Sequence, residues 1–64
     1  MFIYDIFFES WDDICNLERE LEYKSICFEF DAYHDRLFIY GDWEDASIAE
    51  HLMSVYGIEY WEER

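Results

Sequence analysis

The segment at residues 26–40 has the sequence ICFEFDAYHDRLFIY, in which two short alternating runs flank a polar stretch. Alternation of apolar and more polar residues with a period of two is typical of a half-buried β-strand. The spacing therefore predicts an antiparallel hairpin that turns around Tyr33 and His34. Its expected inward-facing residues are Ile26, Phe28, Phe30, Leu37 and Ile39.

The segment before the hairpin predicts a strand followed by a helix. Residues 1–8, MFIYDIFF, are rich in β-branched and aromatic residues. They predict a central strand that is buried on most of both faces. Ser10 and Asp13 have the spacing of a capping box with Asp in place of Glu, and apolar residues then recur every three or four positions. This pattern predicts a helix over residues 10–22.

The segment after the hairpin repeats the scheme in the opposite order. Asp42 and Asp45 resemble a second helix start, and Gly57 is suited to the position just beyond a helix end. We therefore predict a helix over residues 43–56. The alternating tail at residues 58–61, IEYW, is long enough for a short fourth strand.

The predicted order βαββα, closing as βαββαβ, indicates an α+β domain with two helices on one face of a three- to four-stranded antiparallel sheet. This order resembles the ferredoxin-like split βαβ arrangement. The chain lacks proline, linkers and repeats, so we expect a single acidic domain over residues 1–64. The opposite sheet face should then carry Cys27, Glu29, Asp31, Phe38 and Tyr40. The predicted buried set is Ile6, Ile14, Leu17, Leu21, Ile26, Phe28, Phe30, Leu37, Ile39, Leu52 and Met53.

The charge of the chain is strongly one-sided. Asp and Glu number 17 against 4 Lys and Arg, which gives a formal net charge of −13. Direct binding of nucleic acid needs basic residues that displace counterions, so this class of function is excluded as the main activity. The apolar fraction of 53% and the aromatic fraction of 23% also distinguish the chain from a disordered acidic tail.

Residues suited to catalysis or metal binding are few. Cys15 and His51 are suited in principle to act as nucleophile and base, but both fall within helix patterns, and we expect them to be small buried residues. Asp31, His34 and Asp35 offer cation ligands, yet turns are rich in Asp for backbone hydrogen-bonding reasons. No phosphate loop, paired CxxC or HExxH motif is present. We therefore expect no enzyme, no metal and no cofactor.

The sequence also predicts the compartment. Cys15 and Cys27 lie in separate apolar patterns, which is more typical of reduced cytosolic thiols than of a disulfide framework, although one bridge remains an alternative. No apolar run approaches the roughly 20 residues of a membrane span, and no basic leader precedes the first apolar stretch. We expect a soluble cytoplasmic protein without a membrane partner.

The acidic residues divide into those that folding explains and those that it does not. A carboxylate in a first helical turn interacts favourably with the helix dipole. This explains Asp12, Asp13, Glu44 and Asp45. A second group lies in the C-terminal half of the first helix, where the helix dipole disfavours negative charge, or near the end of the chain, where only Arg64 is a nearby cation. Folding gains nothing from these acids, which therefore depart from local rules. Such departures are expected at functional positions. The group comprises Glu18, Glu20, Glu22, Glu59, Glu62 and Glu63.

These features predict a basic protein partner. The net charge exceeds the magnitude of about 2 to 8 that solubility usually needs in a small domain. In composition and size the chain resembles the small acidic DNA mimics that bacteriophages and mobile elements make against restriction, CRISPR, nuclease or repair proteins. The resemblance implies a non-catalytic inhibitor of the anti-restriction or anti-CRISPR type in the host cytoplasm, bound to a target's nucleic-acid-binding surface. The predicted contact residues are Glu18, Glu20, Glu22, Glu29, Asp31, Phe38, Tyr40, Glu59, Trp61, Glu62 and Glu63.

Two alternatives remain open from the sequence. The first is an immunity or antitoxin protein that plugs the active site of one basic nuclease, which uses the same electrostatics on a single cognate partner. The second is a structural or regulatory subunit whose aromatic sheet face completes an assembly. A homodimer in the absence of any basic partner would favour the second alternative.

Overall fold

Two helices pack on one face of a four-stranded antiparallel sheet. A computed structural model describes residues 1–63 of the chain. The elements are β1 (Phe2–Phe7), α1 (Trp11–Tyr23), β2 (Cys27–Asp31), β3 (Arg36–Tyr40), α2 (Trp43–Val55) and β4 (Glu59–Glu63). The predicted βαββαβ order is confirmed, and no element bound differs from the predicted one by more than two residues.

The sheet has the strand order β2-β3-β1-β4, with every neighbouring pair antiparallel. β1 is therefore central, as predicted, and β2 and β4 are the two edges. This is the ferredoxin-like order, in which each helix connects strands that are not neighbours. The β2–β3 hairpin turns through residues 32–35, where Asp31 Oδ1 accepts hydrogen bonds from the backbone N–H groups of Tyr33 at 3.0 Å and His34 at 3.3 Å.

Side-chain caps begin both helices. The Ser10 hydroxyl accepts a hydrogen bond from the backbone N–H of Asp12 at 3.2 Å, one residue earlier than a capping box with Asp13 requires. Asp42 Oδ1 accepts from two backbone N–H groups at the start of α2, at 3.1 and 3.2 Å. α2 ends before Gly57, which has a φ of 71° in the left-handed region that favours glycine.

One hydrophobic core lies between the helices and the sheet. Most of the predicted core residues are buried, and four further residues join them. The predicted buried set omitted Tyr4, although residues 1–8 were expected to be largely buried, and it omitted two alanines of α2 and one residue next to β4. The additional buried residues are Tyr4, Ala46, Ala49 and Ile58.

Two predictions of burial are wrong. Phe28 and Phe30 are only half-buried, because β2 is an edge strand and the helices do not cover its outer side fully. β1 is not buried on both faces, since Phe7 is 61% exposed and the outer face of the strand has no covering layer. Being central in the sheet therefore gives β1 two neighbouring strands but only one buried face.

No helix within residues 1–63 is long and apolar enough to cross a membrane.

Candidate functional site

The sheet face opposite the helices is uncovered, and we call it the open face. Its members follow from strand alternation and from the register, in which Asp5 pairs with Arg36 and Trp61, and Arg36 pairs with Asp31. The open face carries Ile3, Asp5 and Phe7 from β1, Cys27, Glu29 and Asp31 from β2, Arg36, Phe38 and Tyr40 from β3, and Glu59, Trp61 and Glu63 from β4.

The open face is strongly acidic. It holds five carboxylates and one guanidinium, that of Arg36. Arg36 Nε lies 3.0 Å from Asp5 Oδ1 and 3.2 Å from Glu63 Oε2, so one cation links β3, β1 and β4. The hydrogen bond to Asp5 and the charge of Glu63 raise the pKa of the Arg36 guanidinium. The other carboxylates of the face have no Lys or Arg partner within residues 1–63.

The carboxylates at the β2 edge interact with neutral or titratable neighbours instead. The Tyr40 hydroxyl donates a hydrogen bond to Glu29 Oε1 at 3.0 Å, and this bond raises the pKa of Tyr40. His34 Nδ1 lies 2.8 Å from Asp31 Oδ2, which lowers the pKa of that carboxyl. The exposed Glu29 carboxylate stays accessible to an incoming cation, because its contact with Tyr40 occupies only one of its oxygens. Both oxygens of Asp31 are already in hydrogen-bond contact with residues of the turn.

Large aromatic side chains lie between the carboxylates. Phe7 and Trp61 are 61% and 72% exposed, on neighbouring strands at the β4 edge of the face. They line an open groove of about 700 Å³ that continues past Glu59 to Ser54 and Gly57 at the end of α2. We call this the Phe7–Trp61 groove. Exposed aromatics of this size are what protein interfaces use as desolvated anchors.

The structure divides the predicted contact residues into two groups on different sides of the domain. Seven of them lie together on the open face. The three acids of α1 lie on the helix layer, and helical geometry places Glu20 about 160° around the axis from Glu22, while Glu18 and Glu22 are only about 40° apart. Glu62 pairs with Tyr4 and therefore lies on the helix side of β4. The open-face group is Glu29, Asp31, Phe38, Tyr40, Glu59, Trp61 and Glu63.

Sequence reasoning missed Asp5, Phe7 and Arg36 as members of this surface. The signal was present, because an acid within an otherwise apolar strand indicates that one face of the strand is not buried. This signal was missed because residues 1–8 were interpreted as buried on both faces. Arg64, expected near the acids at the end of the chain, lies outside the described residues.

The residues considered for catalysis do not have the predicted burial. Cys15 and His51 are both exposed, so the prediction that they are small buried residues is wrong. The reason is helical phase: Cys15 follows the buried Ile14 by one position, which rotates it about 100° away from that residue, and His51 similarly precedes Leu52. Within residues 1–63 no three His, Cys, Asp or Glu side chains come together in a group suited to a metal ion.

The fold and the open face define a class of protein: a small acidic α+β domain that presents carboxylates and aromatic rings together on an uncovered sheet. Comparison with known protein families, curated proteins and solved structures gives no significant match. The chemistry of the open face is therefore the basis on which a function is proposed below for this protein.

Proposed function

We propose that this protein is a non-catalytic inhibitor that binds the basic nucleic-acid-binding surface of another protein and presents carboxylates where that protein binds phosphates. The observation that carries the proposal is the open face, on which five carboxylates and exposed aromatic rings accompany a single guanidinium. The target is a nuclease, a CRISPR effector, or a restriction or repair enzyme. Inhibitors of this type are made by bacteriophages and mobile elements and act in the cytoplasm of the host.

The charge density of the domain supports this proposal. Spread along the longest dimension of 28 Å, the net charge of −13 amounts to about one negative charge per 2.2 Å. Duplex DNA carries about one per 1.7 Å of helix axis. The carboxylates of all faces together therefore attract a basic surface at long range and speed the encounter, and the five carboxylates of the open face are the ones that make contact.

The aromatic residues of the open face add binding energy that charge alone does not provide. Surface ion pairs contribute little net binding energy, because water and salt screen them. Aromatic side chains that become buried at the centre of an interface contribute far more per residue. Trp61 and Phe7 lie among the carboxylates and are exposed enough to lose a large apolar area on binding.

The exposed aromatics also favour a second candidate, a structural or regulatory subunit that completes an assembly through the open face. Its simplest form, a homodimer, would place two acidic faces against each other, and like-charge juxtaposition costs several kcal/mol. A basic partner relieves that repulsion. An immunity protein that neutralises a single cognate nuclease would use the same face and differs only in the identity of its target.

The experiment that tests the proposal begins with capture of partners on the immobilised protein at low salt, elution by salt and identification by mass spectrometry. Each captured protein is then mixed with its labelled nucleic acid and increasing amounts of this protein. We expect this protein to displace the nucleic acid, because both ligands compete for a single site on the target. A ternary complex of all three molecules, or a homodimer that captures nothing basic, would contradict the proposal.

A matched pair of variants locates the binding surface. Glu29→Lys with Glu59→Lys reverses two acids of the open face, whereas Glu20→Lys with Glu22→Lys reverses two acids of the helix layer. Both double variants have the same net charge, so they differ only in where the charge is changed. We expect the open-face variant to weaken target binding at least ten-fold and to flatten its salt dependence, while the helix-layer variant changes affinity much less. Equal losses would contradict the assignment of the open face.

A further inference from the structure

The Phe7–Trp61 groove combines three features that each favour a cation. Glu59 contributes a carboxylate that has no ion-pair partner within residues 1–63. The groove borders the last turn of α2, where the helix dipole carries partial negative charge and no basic residue is present to neutralise it. Trp61 and Phe7 add aromatic faces, whose quadrupole attracts positive charge.

The spacing of the two strand positions that carry these rings favours a flat cation. Phe7 pairs with Glu59 and Trp61 pairs with Asp5, so Phe7 and Trp61 are diagonal neighbours on one face of the β1–β4 pair. Such neighbours lie about 7–8 Å apart. That is roughly twice the contact distance of about 3.5–4.0 Å between two heavy atoms. The two positions are therefore separated by about the thickness that one planar group needs on each of its faces.

We infer that the Phe7–Trp61 groove holds an arginine side chain of the basic partner, with the guanidinium plane against the Trp61 ring and its N–H groups donating to the Glu59 carboxylate. This inference rests on the proposed function and names its anchoring contact. A guanidinium is planar, weakly hydrated and able to stack and to bond a carboxylate at once. A lysine ammonium is a compact and strongly hydrated charge that makes no stacking contact.

The domain holds its own arginine in a related way elsewhere on the open face. Arg36 Nε approaches two carboxylates, Asp5 at 3.0 Å and Glu63 at 3.2 Å. Those two acids are therefore already neutralised in part. Glu59 has no such partner among the described residues, and it lies beside the more exposed aromatic rings. The groove is thus where an arginine from outside finds both a carboxylate and a ring.

The inference is tested with two blocked peptides of equal charge, hexa-arginine and hexa-lysine, titrated into the isotopically labelled protein at low salt. The indole N–H signal of Trp61 is assigned from its disappearance in Trp61→Leu and is followed by NMR. We expect hexa-arginine to bind about two- to five-fold more tightly than hexa-lysine, the size of an exposed cation–π contact. We expect the Trp61 signal to be among those that move most.

The matched control is Trp43→Leu, because Trp43 is equally exposed, at 74%, but begins α2 and lies off the open face. Trp61→Leu should abolish the preference for arginine over lysine, whereas Trp43→Leu should keep it. Far-UV circular dichroism checks that both variants are folded. Equal affinity of the parent for the two peptides, or a preference that survives Trp61→Leu, would overturn the groove assignment while leaving the proposed function in place. Failure of both peptides to bind at low salt would contradict the proposed function as well.

Discussion

Removal of the Tyr4 hydroxyl is a direct test of a polar contact that reaches the core. The Tyr4 side chain is fully buried, and its hydroxyl donates a hydrogen bond of 2.7 Å to Glu50 Oε2 on α2. The Tyr60 hydroxyl approaches the other oxygen of the same carboxylate at 3.5 Å. Tyr4→Phe deletes the short bond and leaves the aromatic packing, including the edge contact between the rings of Tyr4 and Tyr60, at 5.7 Å, unchanged.

The expected loss follows from the burial of the two partners. A hydrogen bond to a charged group contributes about 1.5–3 kcal/mol to stability. Glu50 is half-buried and can be rehydrated, so we expect a loss near or below the lower end of this range, about 1–2 kcal/mol. A domain of this size has a total stability of roughly 3–10 kcal/mol. The loss should lower the melting temperature by about 7–15 °C.

The pH dependence of this loss is a second readout. Burial and the hydrogen bond to Glu50 raise the pKa of Tyr4 above its ordinary value. Above about pH 10 the unfolded chain therefore releases the Tyr4 proton while the folded chain retains it, so the free energy of unfolding falls as the pH rises. Tyr4→Phe lacks this proton. The stability difference between parent and variant should narrow by up to about 1.4 kcal/mol per pH unit above pH 10.

The assay is urea unfolding followed by circular dichroism, at neutral pH and at several values between pH 9 and about 11, the range in which an ordinary tyrosine ionises. Tyr60→Phe is the matched control, because its hydroxyl is 3.5 Å from Glu50 and should contribute less than about 0.5 kcal/mol. A Tyr4→Phe variant as stable as the parent, or a Tyr60→Phe variant that loses more stability than Tyr4→Phe, would refute this account of the contact.

Two further predictions concern the charge and the backbone. Raising the ionic strength from about 0.01 M to about 0.2 M at neutral pH should raise the melting temperature. The reason is that Arg36 forms the only Arg or Lys ion pairs within residues 1–63, so repulsion between carboxylates dominates and salt screens it. A melting temperature that falls steadily with salt would mean that attractive pairs dominate. Gly57→Ala should lower the free energy of unfolding by about 1–2 kcal/mol, because the added Cβ meets no atom but is placed at a left-handed φ of 71°. Urea unfolding measures this effect, and an unchanged midpoint would contradict it.

Local sequence determined the elements and much of the core of this protein. The alternation at residues 26–40 specified the hairpin, and the capping residues Ser10 and Asp42 specified both helix starts, because strand alternation, helix periodicity and caps all act between residues close in the chain. The predicted open-face positions on β2 and β3 followed from the same alternation, once one face of the hairpin was assigned to the core.

The assembly of the site depended on tertiary structure, because it depends on which strands become neighbours. Nothing local to residues 1–8 shows that β1 pairs with both β3 and β4. The one local sign of an uncovered face, Asp5, was outweighed by the apolar residues around it, so Asp5 and Phe7 were missed. The sequence separates Glu59 from Phe7 by about fifty positions, and only the β1–β4 register brings them together. The acids of α1 had the strongest local signal and lie on the helix layer instead. Local rules detect residues that folding does not explain, whereas the sheet order decides which of them share a surface.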